Sequence, residues 1–288
     1  PRAPAAPAGG DHHRSGKPRV IEFLSYEFGQ RALLAGLIVG FGCAVLAFFV
    51  VLRRMAFVGV GISHAALGGV ALGLLFGVDP LIAALAFSVV VAWLIGAVGG
   101  RGKLSEDTAI GIFFPTAMAL GVALMAGTPD YRQNLLGYLF GNILLVQNSD
   151  LIFAGILVGS TLLVTAFFFK ELLFVSVDEE TARAAGLPAA RLRYLLLTLI
   201  AVTIVSAIKV VGIILVSAFL VIPAATAQIM APSVRGMLVL SVTFALGSVI
   251  GGLWISWVLD LPSGAAIVLL AAAWFFAVMA GSRLLRRA

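Results

Sequence analysis

The sequence predicts an all-α, polytopic integral membrane protein, a bundle of about eight to nine transmembrane helices. Three observations carry this reading: the composition, the length of the uncharged runs, and where the basic residues fall. Of 288 residues, 61% are hydrophobic and 11% charged, where a soluble domain carries about 25% charged and about 45–50% apolar residues. Two water-soluble cores could not hide that excess. Disordered, fibrous and disulfide-stapled classes are excluded on the same ground. One cysteine, Cys43, permits neither an internal disulfide nor a thiolate cluster. The formal charge of +6 comes from short basic clusters between apolar runs. That is the pattern of a cytoplasmic membrane face, not of a nucleic-acid surface.

A spanning helix needs roughly 20 apolar residues to cross about 30 Å of hydrocarbon. Runs free of Asp, Glu, Lys and Arg cover residues 32–52, 55–78, 80–100, 108–129, 151–169, 210–234, 236–259 and 261–282. Residues 194–208 are shorter and read as a ninth, tilted or half-length span. Positive charge then orients the bundle. Placing Arg53 and Arg54 inside brings Arg101, Lys103, Lys170, Arg183, Arg191, Arg193, Arg235, Arg283, Arg286 and Arg287 to the same side. Only Arg132 and Lys209 oppose them in the loops, with Arg2, Arg14, Lys17, Arg19 and Arg31 ahead of the first span. The N-terminus is therefore expected outside and the C-terminus in the cytoplasm.

Residues 1–20, rich in Ala, Pro and Gly, are expected to be a disordered tail, leaving 21–288 as one membrane domain. The tail has no apolar core of a signal peptide. Its His12–His13 pair reads as solvated. Residues 21–30 mix Phe23, Leu24, Tyr26 and Phe28 with Glu22 and Glu27, which suits a helix lying in the outer interface. Small residues recur every fourth position at Ala32, Gly36, Gly40 and Ala44, at Ala65, Gly69 and Gly73, and at Gly247 and Gly251. Each series predicts a smooth stripe for a neighbouring helix, because lipid gives helices little other reason to associate. Pro115 and Pro223 fall inside apolar runs and are expected to break or kink their helices.

All thirteen carboxylates fall near span ends or in loops. His64 is the exception to this polar poverty, near the middle of the run 55–78. Neutral imidazole ligates zinc, manganese or iron without bringing charge into lipid, and it equally serves as a hydrogen-bonding group to a carbonyl between helices. A carboxylate one turn away would complete a usual carrier pair, but position 60 is Val60. Ser63, Ser88, Ser217, Thr226 and Gln228 are polar candidates for a path, each also able to bond its own helix. Asp79, Asp130 and Asp260 fall at the outer mouth. No catalytic residue is expected: Ser63 and His64 are adjacent and point apart, and neither an aspartate pair nor H-E-x-x-H occurs. Nor does a G-x-x-x-x-G-K-[ST] phosphate loop. Energy must come from a partner or an ion gradient.

The longest inner loop carries a helix signal. Ser176-Val177-Asp178-Glu179 has capping-box form, and Gly186 followed by Pro188 is a stop. A short helix over 177–186 is expected on the cytoplasmic face, either a plain capped connection between spans or a handle for a motor subunit.

From Phe23 to Arg283 the chain resembles the permease subunit of metal-type ABC importers, the zinc, manganese and iron family. The resemblance rests on Arg53-Arg54-Met55-Ala56-Phe57, Ser63-His64-Ala65, Gly68-Gly69 and Tyr138-Leu139-Phe140-Gly141. It continues through Asp178-x-Glu180-x-Ala182-x-x-x-Gly186, Lys209-Val210-Val211-Gly212, Leu220 to Ala227, and Asp260-Leu261-Pro262-Ser263-Gly264. It implies a type II-like ABC importer permease in a bacterial or archaeal cell membrane, paired with a second permease chain. It implies a cytoplasmic ABC ATPase at Asp178, Glu180, Ala182 and Gly186, and an extracytoplasmic metal-binding protein. It favours His64 as a path residue, with no permanently bound cofactor and a divalent metal as cargo. The sequence departs from the family pattern at Val60, where many members carry aspartate, and at Asn134 and Asn142. A histidine-led, carboxylate-poor path suits zinc better than manganese. A metal-chelate or cobalamin permease and an ion-coupled carrier are the alternatives; a carrier would want a carboxylate at mid-depth, and none is present.

Overall fold

The structure is a computed structural model that describes residues 23, 25–99, 104–126, 143 and 146–285. The expected tail, Asp130, Asn134, Asn142 and the Tyr138–Gly141 motif lie outside these. The described residues contain eleven helices and no strand: α1 Glu27–Leu52, α2 Val58–Phe76, α3 Pro80–Gly99, α4 Glu106–Met125, α5 Asn148–Phe167, α6 Phe169–Val177, α7 Glu179–Ala184, α8 Ala189–Phe219, α9 Ile222–Met230, α10 Val234–Leu259 and α11 Ser263–Leu285. Nine segments among them are long and apolar enough to cross a bilayer. These match the eight long runs plus the short ninth.

Burial sorts the spans into a centre and a rim. The apolar windows of α2 and of Ala189–Ile208 are 72% buried within the bundle and that of α1 67%, whereas α4 and α5 reach 22% and α11 17%. On the rim helices Ile156, Leu163, Phe167, Leu269 and Phe276 stand out from the protein. In water such residues would drive aggregation; in lipid they are at home. Close backbone approach holds the centre together. A Cβ on Gly69 would lie 2.5 Å from Ala84 Cα, and one on Gly36 would lie 2.7 Å from Val249 Cγ1. So two of the three small-residue stripes acquire partners, α3 for α2 and α10 for α1. The third is shifted by one register. Gly247 faces open space, while Gly251 and Gly252 meet Leu270 and Ile267 of α11. Ser241 of α10 donates to the Ala44 carbonyl at 3.0 Å, pinning α10 to α1.

Of the expected interfacial helix over 21–30, residues 21, 22 and 24 lie outside the described residues; Phe23 and Ser25 are helical, and Glu27 to Gln30 form the first turn of α1 behind an extended Tyr26. Phe23, Tyr26 and Phe28 close around Trp257 of α10, with centroids 5.4–6.1 Å away. The break expected at Pro223 falls just ahead of it: α8 ends at Phe219, the chain turns at Val221, φ −130° and ψ −57°, and Pro223 sits in the first turn of α9, where a missing N–H costs nothing. A second departure from helical geometry, which nothing in the sequence signalled, lies at Gly212, with φ 77° and ψ 165°. Only glycine adopts that conformation without strain. Pro115, by contrast, lies inside a continuous α4.

Candidate functional site

Two polar constellations stand out, one at mid-depth on a central helix and one beyond the apolar segments. At mid-depth, His64 on α2 is half-buried. Its Nδ1 lies 2.9 Å from the Val60 carbonyl oxygen one turn back. A carbonyl only accepts, so Nδ1 carries the proton and Nε2 keeps a free lone pair. Valine at position 60 thus contributes backbone rather than side chain: it fixes the tautomer without adding a ligand. Phe114 of α4 meets the imidazole edge-on, with centroids 5.0 Å apart. Beside it, fully buried Ser63 lies 2.9 Å from Ser217 Oγ. Each serine also reaches a carbonyl of its own helix, Ser63 that of Val60 at 3.2 Å and Ser217 that of Ile213 at 2.8 Å, so either hydroxyl can donate across the pair. This hydrogen bond ties α2 to the segment of α8 just beyond Gly212. Thr226 bonds its own helix at the Ile222 carbonyl, and Ser88 is buried without a side-chain partner among the described residues. No group of three or more His, Cys, Asp or Glu side chains that could hold a metal ion occurs among the described residues. The mid-depth site is a single imidazole.

The mouth carboxylates serve helix ends. Asp79 accepts from the backbone N–H groups of Leu81 and Ile82 at 2.9 and 3.1 Å, an N-cap for α3 with Pro80 behind it. Asp260 closes α10 in the left-handed conformation, φ 55°. Both are exposed, and Asp130 lies outside the described residues.

The second constellation is built on α7. The N-cap is not Ser176, which is buried at the end of α6. Asp178 takes the role, accepting from the Thr181 N–H at 3.0 Å and from the Thr181 hydroxyl. Those two hydrogen bonds, the hydroxyl's first, hold its carboxyl below the ordinary aspartate value. Serine was the wrong choice because an apolar stretch of helix continues through it to Val177. At the other end Gly186, φ 86°, donates to the Arg183 carbonyl and Leu187 to the Ala182 carbonyl, a complete Schellman stop. Of the four residues singled out for motor contact, Asp178, Glu180 and Gly186 face outward, while Ala182 is fully buried and seats α7 on the bundle.

Sequence reasoning missed Glu179. Its Oε2 pairs with Arg53 at 2.9 Å, and its Oε1 with Arg183 at 3.1 Å and Arg193 at 3.3 Å. Arg53 also meets Glu106 at 3.4 Å. Nothing in one sequence pairs Glu179 with Arg53 or Arg193; the local signals, three acidic residues opening a helix and Arg183 four residues on, pointed to a dipole effect and a surface pair.

Together these features define a polytopic helical membrane protein with an imidazole at mid-span and a capped, clamped helix off its span ends. The chain matches the ABC 3 transport family over residues 25–282 and belongs to that family; it is a membrane permease of the ABC type. It is similar to the manganese transport system membrane protein MntC of Halalkalibacterium halodurans, 39% identical over 88% of this chain and 87% of that protein. It is also similar to the high-affinity zinc uptake system membrane protein ZnuB of Haemophilus influenzae, 35% identical over 84% and 92% respectively. Among solved structures it matches PsaBC from Streptococcus pneumoniae in complex with Fab. The TM-score is 0.80 at 38% identity, covering 90% of this chain and 95% of that one.

Proposed function

We propose that this chain is the membrane permease of an ATP-driven importer carrying a divalent first-row metal ion into a bacterial cytoplasm, zinc first. The observation that carries it is His64, with a free Nε2 at mid-depth on a central helix, in a family whose relatives are named for manganese and zinc. Two permease chains, identical in the simplest case, surround the path in membrane lipid. The N-terminus is outside and the C-terminus in the cytoplasm. A metal-loaded binding protein docks at the outer mouth near Asp79, Asp130 and Asp260. A cytoplasmic ABC ATPase grips the outward face of α7 around Asp178, Glu180 and Gly186, with Ala182 transmitting the push by its packing.

ATP binding moves α7, the bundle rocks, and the ion passes Ser63 and His64 with one protein imidazole as a transient ligand. A single neutral nitrogen binds weakly enough to release. The turns at Gly212 and ahead of Pro223 are where the path helices change direction. Manganese is the second reading, favoured by the relatives' names, although imidazole alone is a poorer match for that harder ion. The test is uptake by proteoliposomes holding the complete complex, with zinc, manganese and iron offered singly. Zinc uptake should exceed the others and fall about tenfold in His64→Ala, the loss of roughly 1.4 kcal/mol of barrier stabilisation. Manganese uptake outrunning zinc would overturn the choice of ion; unchanged uptake in His64→Ala would remove the histidine from the path.

A further inference from the structure

We propose that Glu179 is the positioning residue that locks α7 to the membrane helices, so that movement of α7 becomes movement of the spans. This rests on the reading of α7 as the ATPase contact. Glu179 opens α7, yet its side chain turns inward and is only 21% exposed, between Arg53 at 8% and Arg193 at 10%. Arg53 and Arg193 belong to different spans, while the third partner, Arg183, is on α7 itself. Arg53 closes α1 and reaches both Glu179 and Glu106, the first residue of α4. Its other guanidinium nitrogen approaches the Val175 carbonyl of α6 at 3.4 Å. Arg193 lies in the first turns of α8, its guanidinium 5.7 Å from the Tyr194 ring centroid.

One carboxylate therefore joins α7 to α1 and α8 directly and to α4 through Arg53. α4 carries Phe114 against His64, so the helix the motor moves and the residue the ion passes are connected by continuous contact. Apolar residues would hold α7 in place equally well, since a half-buried ion cluster adds little net stability. What the cluster supplies is fixed geometry: both carboxylate oxygens are occupied, and α7 cannot roll or slide without breaking a charged hydrogen bond.

The experiment uses the whole complex in proteoliposomes and reads zinc ions moved per ATP hydrolysed. Glu179→Gln, near in shape but uncharged, is expected to keep hydrolysing ATP while ions per ATP fall about tenfold. Glu179→Asp, charged but shorter, should retain most of the ratio. Glu27→Gln removes an exposed pair in the first turn of α1 and should change nothing. Arg53→Gln with Glu179→Gln should lose no more than Glu179→Gln alone, because both break one lock. If Glu179→Gln fails to assemble while Glu179→Asp assembles and transports, the charge-dependent seat is again supported. Equal ratios in wild type and Glu179→Gln, or Gln and Asp variants failing alike, overturn the proposal. If the wild-type complex itself moves no zinc or manganese on ATP addition, the functional reading fails instead, whatever the variants do.

Discussion

His64 and Ser63 are neighbours with different tasks. Ser63 shares a hydrogen bond with Ser217, a contact between α2 and α8, while His64 spends Nδ1–H on its own helix and keeps Nε2 free. Ser63→Ala should therefore cost stability more than selectivity. Membrane hydrogen bonds average about 0.6 kcal/mol and reach about 1.7, so a small fall in the thermal midpoint is expected with the zinc-to-manganese uptake ratio unchanged. A shifted ratio would make Ser63 a ligand. The histidine's position was legible because an ionisable group inside an apolar run is rare enough to stand out. Its tautomer was not legible, since that depends on a carbonyl's direction. Glu179 was illegible for another reason: Arg53 and Arg193 lie outside its own helix, and the one local sign, Arg183 four residues on, reads as an ordinary exposed i,i+4 pair.

At the scale of elements, close approach and capping decide. A methyl on Gly69 would meet Ala84 Cα at 2.5 Å and the Ala83 carbonyl oxygen at 2.9 Å, both backbone atoms that cannot rotate away. Gly69→Ala must push α2 from α3, costing about 1–3 kcal/mol as over-packing does. Gly155→Ala on rim helix α5 meets nothing within 4 Å and should match wild type in the same thermal scan. A fall at both positions, or at neither, would contradict the layering. Capping adds a pH dependence to α7. The carboxyl of Asp178 titrates below its ordinary 3.8 in the folded protein. A lowered value means the carboxylate stabilises the fold above the ordinary value and ceases to do so as pH falls through the native one. Hydrogen exchange at Thr181, normalised for intrinsic rate, should therefore accelerate below that range in wild type. In Asp178→Ala it should be fast already at neutral pH. The spans themselves were readable from hydropathy and length, which the bilayer imposes on any chain. The contact at Gly252, the N-cap at Asp178 and the turn at Val221 depend on neighbours and fall one or two residues from where the sequence pointed, while the turn at Gly212 had no sequence signal.

At the scale of the whole molecule, nine segments among the described residues can cross a bilayer; nine crossings would put the two ends of the bundle on opposite sides, and the basic loops are the physical basis for choosing between the two orientations. Arg53, Arg54, Arg183, Arg191, Arg193 and Arg235 lie at one set of helix ends, with α7 among them; Asp79 and Asp260 lie at the other. If the positive ends face the cytoplasm, α7 is reachable only from inside. The chain provides its own background for testing this, because Cys43 is its single cysteine and is fully buried. In intact cells a membrane-impermeant maleimide should leave wild type unlabelled. Leu261→Cys, exposed beside Asp260, should label from outside. Ala184→Cys, exposed on α7, should label only in inside-out vesicles. Labelling of Ala184→Cys in intact cells would invert the bundle, put α7 out of reach of any nucleotide-driven partner, and leave the Glu179 cluster with no stroke to transmit.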